Sequence, residues 1–126
     1  MPEEIPDPFE NPPPRRVGAH ALIARGTQLL LVTRPYKVAV SRWGLPGGSA
    51  VANELPRRAL SRHLEERLTL RASAGRILVM DHVPEYPGLH KEGTNYVYEV
   101  LLPMTPSRSS PNPAASVKRA GWSVPR

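Results

Sequence analysis

At 126 residues, with 17 basic against 11 acidic side chains and a formal net charge of +6, the chain supports one small domain whose surface field favours anions. The absence of cysteine excludes a disulfide framework, a thiolate zinc site and a cysteine nucleophile. No apolar run approaches the roughly 20 residues that cross a bilayer, and the N-terminal stretch MPEEIPDPFENPPPRR is acidic and proline-rich, so a cytoplasmic location with no membrane partner is the expectation.

Residues 1–16 hold six prolines and almost no core-forming side chains, which predicts an extended N-terminal arm ahead of a domain over 17–126. VGAHALIA (Val17 to Ala24) and QLLLVTR (Gln28 to Arg34) are apolar runs of strand length around Arg25-Gly26-Thr27, so two antiparallel strands are expected. After a loop over Pro35 to Arg42 comes WGLPGG, then a helical pattern with leucines at 60, 64 and 68 and Ala59 beside them. Pro56 suits a first turn and Asn53 is a candidate N-cap, so the helix is expected from about Glu54 or Leu55 to Leu68. GRILVMDHV (Gly75 to Val83) and NYVYEVLLP (Asn95 to Pro103) read as strands joined by the loop PEYPGLHKEGT. MTPSRSSPNPAAS (Met104 to Ser116) reads as a mobile Pro/Ser-rich loop, and a short last strand is expected within Val117 to Val124. This order of elements fits an α/β or α+β domain with a mixed sheet.

The stretch from Trp43 to Leu70 resembles the signature of the Nudix hydrolase superfamily, in degenerate form. That signature is a glycine, five residues, a glutamate, seven residues, then Arg-Glu-aliphatic-any-Glu-Glu-any-Gly-aliphatic. Anchored on Gly48, it is matched by Glu54, Arg62, Leu64, Glu66 and Leu70, while His63 and Arg67 stand at glutamate positions and Thr69 at the glycine. Sliding by one residue to pair Glu65 with Glu66 would lose Arg62 and Leu64 and put Arg58 where the family has a small alanine, so the first register holds. The fold implied is a Nudix-like α/β/α sandwich with a mixed β-sheet and one catalytic-type helix after a glycine loop.

The resemblance implies hydrolysis of a nucleoside diphosphate linked to another moiety, with a divalent cation, Mg²⁺ or Mn²⁺, as cofactor. Such chemistry requires hard oxygen ligands that neutralise phosphates and activate water. Carried over by position, the Gly47 carbonyl and the Glu66 carboxylate are the expected metal ligands, and Glu66, His63, Arg62 and Glu54 the catalytic group. Gly48, Arg67 and Arg34 are the candidate substrate contacts. His63 offers a softer donor suited to Mn²⁺ or Zn²⁺, and Arg67 replaces a negative charge by a permanent positive one, so metal affinity and activity are expected to be weakened or re-specialised.

The alternative reading is a catalytically inactive Nudix-like domain that binds a nucleotide or phosphate for regulation, with Arg67 supplying charge that metal would otherwise supply. A third, a nucleic-acid-binding module, rests on net charge without any matching motif and is set aside. The expected partner is thus a nucleotide or other phosphorylated small molecule. Relatives commonly dimerise, which leaves a homodimer open. The loop holding Glu85, His90 and Glu92 is where relatives place an additional acid or base, and no motif selects among the three.

Overall fold

The computed structural model describes residues 5, 7–33, 43–102 and 120–123. Its elements in chain order are β1 (Arg16–Leu22), β2 (Ala24–Arg25), β3 (Gln28–Thr33), β4 (Trp43–Gly44), β5 (Gly47–Ser49), α1 (Pro56–Leu68), β6 (Ile77–Val83), β7 (Gly93–Glu99) and β8 (Ala120–Ser123). Arg34 and the segment over 104–116 lie outside the described residues. Among the described residues, no helix is long and apolar enough to cross a membrane.

The strands form two sheets. The first has the order β5-β1-β7-β6, with β1 parallel to β7 and the other pairs antiparallel, so the expected mixed sheet is present. In the second, β3 pairs antiparallel with β2, β4 and β8. The expected hairpin is therefore shorter than the apolar runs implied. The chain breaks pairing at the fully buried Ile23, so β1 and β3 belong to different sheets and only β2 turns back onto β3. Gly26, with φ 61°, and Thr27 make that two-residue turn between Arg25 and Gln28. The last expected strand is present as β8, antiparallel to β3.

Helix α1 lies against β1 and β5. Ala59, Leu60, His63, Leu64 and Leu68 are its buried residues, and the core they join includes Ala19, Ala21, Ile23, Tyr98 and Val100. Small alanines on both β1 and α1 let the helix approach closely. The leucines supply most of the apolar area, each worth about 1.5–3 kcal/mol when fully buried. Arg57 ties the helix to the segment before β6, donating to the carbonyls of Ala74 (3.1 Å) and Gly75 (3.3 Å) and lying 5.4 Å from the Tyr98 ring centroid.

Both helix ends differ from the sequence expectation. The N-cap is Leu55, extended and without a side-chain cap, with Pro56 opening the first turn. Asn53 instead takes φ 64° in a turn where the Glu54 amide donates to the Val51 carbonyl (3.1 Å). Proline has no N–H to be capped and fixes its own φ, which sets the start without help from Asn53. At the other end Thr69 adopts the left-handed conformation (φ 52°, ψ 33°). Its amide donates to the Glu65 carbonyl at 3.0 Å, the 5→1 bond of an αL cap, and the Leu70 amide donates to the Leu64 carbonyl at 3.1 Å. The exit is thus kept without glycine. A β-branched residue there costs on the order of 1 kcal/mol.

Candidate active site

Strand β5 is built from Gly47-Gly48-Ser49, a composition with no strand preference, and it exists because β1 offers it a ladder. The Ala50 amide donates to the Val17 carbonyl (2.8 Å) and the Ala21 amide to that of Pro46 (2.9 Å). Antiparallel pairing alternates, so the carbonyls of Gly47 and Ser49 point away from β1. Gly47 has φ 143°, and a Cβ there would collide with the Ala19 carbonyl, so this position requires glycine.

The outward carbonyl of Ser49 takes two donors from consecutive residues of α1. His63 Nε2 lies 2.8 Å from it and Arg62 Nη2 3.3 Å. A carbonyl only accepts, so Nε2 carries the proton in this contact. His63 is only 8% exposed, its Nδ1 has no hydrogen-bond partner among the described residues, and a Cβ on Gly48 would sit 2.6 Å from its Cε1. The ring therefore fills the space above Gly48 and fastens the helix to the glycine strand. This geometry turns the nitrogen nearest the glycines into a donor, not a metal ligand.

Arg62 organises the acidic groups. Its Nε and Nη2 each lie 2.8 Å from an oxygen of Glu54, a bidentate pair, and its Nη1 reaches Glu66 at 3.4 Å. The side chain of Glu54 is 15% exposed and also accepts from the Val51 amide at 3.1 Å. Arg62 chiefly, and then that amide, hold the Glu54 carboxyl down to about 2, while Glu54 pushes the Arg62 guanidinium above its ordinary range. The side chain of Glu66 is 58% exposed and, among the described residues, held only by the longer contact.

Positions 63 and 67 fall on the neighbouring face of the helix, as four-residue spacing requires. There a cleft of about 220 Å³ opens between β3 and α1, lined by Val32, Thr33, Pro46, Gly47, His63, Arg67 and Leu68. Among the described residues its lining contains no carboxylate. Arg67 is exposed and has no ion pair or hydrogen bond among the described residues. Gly47 lines this cleft, whereas Gly48 lies beneath the His63 ring.

Three or more His, Asp or Glu groups able to share a metal ion are not found together among the described residues. Only Glu3 and Glu4 of the acidic residues lie outside them. A multi-ion carboxylate cluster therefore does not fit. One hard cation fits better: Glu66 is exposed and loosely held, the Gly47 carbonyl points outward, and such ions commonly take one or two carboxylates and complete their shell with water and substrate oxygens. The loop residues Glu85, His90 and Glu92 do not line the cleft. Glu85 pairs with Lys91 at 3.5 Å, Glu92 with Arg15 at 3.4 Å, and His90 bridges back to Tyr86. Sequence reasoning missed Ser49, on which the helix and glycine strand converge, and the apolar wall of Val32, Pro46 and Leu68. A backbone acceptor leaves no trace in residue type.

The fold matches many solved structures. Residues aligned with a MutT NUDIX hydrolase from Burkholderia pseudomallei are 26% identical, covering 87% of this chain and 83% of that one with a TM-score of 0.62. The ORF135 protein of E. coli gives 22% identity, 86% and 72% coverage and a TM-score of 0.63. A UDP-X diphosphatase gives 18% identity and a TM-score of 0.65, over 91% of this chain and 53% of that one. No curated protein matches the sequence significantly. The NUDIX domain family model matches residues 13–123, from the last arm residues through β8. With the glycine strand, the Glu54–Arg62–Glu66 chain and this match over most of its length, the chain belongs to the NUDIX domain family.

Proposed function

We propose that this domain hydrolyses a nucleoside diphosphate linked to another group, slowly, with one divalent cation in place of a cluster. The observation that carries the reading is the Glu54–Arg62–Glu66 chain, which Arg62 joins to the glycine strand at the Ser49 carbonyl. A bound Mg²⁺ or Mn²⁺ would be held by Glu66 and Gly47 and would supply neutralisation of the diphosphate's charge. Glu54 fixes Arg62, Arg62 orients Glu66, and the Arg67 side of the cleft receives the phosphates. The names of two fold relatives, a MutT NUDIX hydrolase and a UDP-X diphosphatase, support this substrate class by analogy. A cytoplasmic setting suits such a substrate.

The test is a panel of nucleoside diphosphate sugars, dinucleoside polyphosphates and nucleoside triphosphates with Mg²⁺ or Mn²⁺. Slow metal-dependent release of a nucleotide product, lost in Glu66→Gln, is the expected result. No turnover of any compound refutes it. The second reading, a binding domain without hydrolysis, is favoured by one observation, the carboxylate-free cleft bearing Arg67, and would then replace the first.

A further inference from the structure

We infer that the cleft between β3 and α1 is a phosphate subsite that works without metal, in which Arg67 grips a ligand phosphate directly. The inference takes its ligand class, a diphosphate compound, from the proposed function. Its mechanism, a protein cation in place of a metal, is separate.

Arg67 reaches the cleft with no carboxylate in the lining and no partner among the described residues to neutralise it. A guanidinium presents a planar fork of donors that matches two phosphate oxygens, and it stays charged at any working pH. None of the neighbouring acids is among the described lining residues: Glu54 and Glu66 are both engaged by Arg62, and Glu65 pairs with Arg71 at 3.3 Å. A second observation comes from His63, which lines the same cleft, is more than nine-tenths buried, and has no hydrogen-bond partner for Nδ1 among the described residues. A buried ring nitrogen in that state is unusual.

Size and polarity limit the ligand. At about 30 Å³ per water, the 220 Å³ cleft equals roughly seven waters, room for a diphosphate or a phosphorylated ring. It falls below the roughly 300–1,000 Å³ that holds a whole drug-sized molecule. Val32, Pro46 and Leu68 form an apolar wall, so the group carrying the phosphate is expected to place a ring or hydrocarbon face there.

The test is titration calorimetry of the full chain with inorganic pyrophosphate, ADP and inorganic phosphate, in EDTA. The expected result is that pyrophosphate and ADP bind in EDTA, with ADP the tighter for its added ring, and that affinity falls as salt rises. Arg67→Gln should weaken both by about ten- to a hundredfold, the usual size of a lost charge-assisted contact. Arg67→Lys should lie between the two, and Arg76→Gln, remote from the cleft, should leave binding unchanged. Circular dichroism checks that each variant folds. Binding in EDTA that is insensitive to Arg67→Gln, or binding that requires metal, overturns the inference. Metal-dependent turnover combined with no binding in EDTA overturns it while leaving the proposed hydrolysis intact. Binding in EDTA without turnover does the reverse.

Discussion

Replacing Arg67 by glutamate should raise the affinity for a divalent cation by one to two powers of ten. Arg67 and Gly47 line the same cleft, so an ion on the Gly47 carbonyl would lie within about one long side chain, roughly 6 Å, of the charge at position 67. In water two unit charges at about 6 Å interact with roughly 0.7 kcal/mol. The substitution changes two charge units against a divalent ion, giving about 2.8 kcal/mol, and screening at physiological salt about halves it. The range of about 1.3–2.8 kcal/mol corresponds to roughly ten- to a hundredfold in affinity. Arg67 is exposed, so water is the appropriate medium and the fold should tolerate the change. Mn²⁺ titration followed by electron paramagnetic resonance measures the effect. Equal Mn²⁺ affinity in both proteins would refute the placement of Arg67 beside the cation position. Adding His63→Glu is a poorer test, because it would press a carboxylate against the Ser49 carbonyl that His63 now contacts at 2.8 Å.

Three further outcomes follow from the same geometry. Thr69→Gly should stabilise the domain by about 0.5–1 kcal/mol, since relief of the left-handed strain exceeds the entropy that glycine adds to the unfolded chain; urea denaturation showing no gain would contradict the assigned helix exit. Gly48→Ala should cost about 1–3 kcal/mol by overpacking against the His63 ring, and Gly48→Ala with His63→Ala should show positive coupling in a double-mutant cycle. Additive losses would mean the two residues do not touch. Because the Glu54 carboxyl is depressed from an ordinary 4.5 to about 2, its contribution to stability is complete above pH 4.5 and is lost as pH falls toward 2. Glu54→Gln should flatten the acid limb of the stability curve within that window, and an unchanged limb would discount the Arg62 pair.

What the sequence disclosed depended on whether a signal was local. The leucines at 60, 64 and 68 placed α1 and its buried face correctly, because helical spacing depends on residue type alone. Four-residue spacing likewise separated the 62/66 face from the 63/67 face. The split of β1 and β3 between two sheets was not legible, since the apolar run passes through Ile23 without a break in composition. Nor was β5, whose glycines become a strand only by pairing with β1. His63 shows the same limit. As a residue type it suited a metal ligand or a solvated surface group, yet it is buried and bonded to a backbone carbonyl brought from 14 residues earlier in the chain. Arg62 was easier to read, because its partners at 54 and 66 are side chains within the same motif.

The most direct test is a crystal structure of the full chain with Mn²⁺ and a non-hydrolysable nucleoside diphosphate analogue. The account predicts a single Mn²⁺ bound by the Glu66 carboxylate and the Gly47 carbonyl, with a phosphate on the Arg67 guanidinium. Two or more ions clustered on the helix, or an ion with no bond to Glu66, would contradict it.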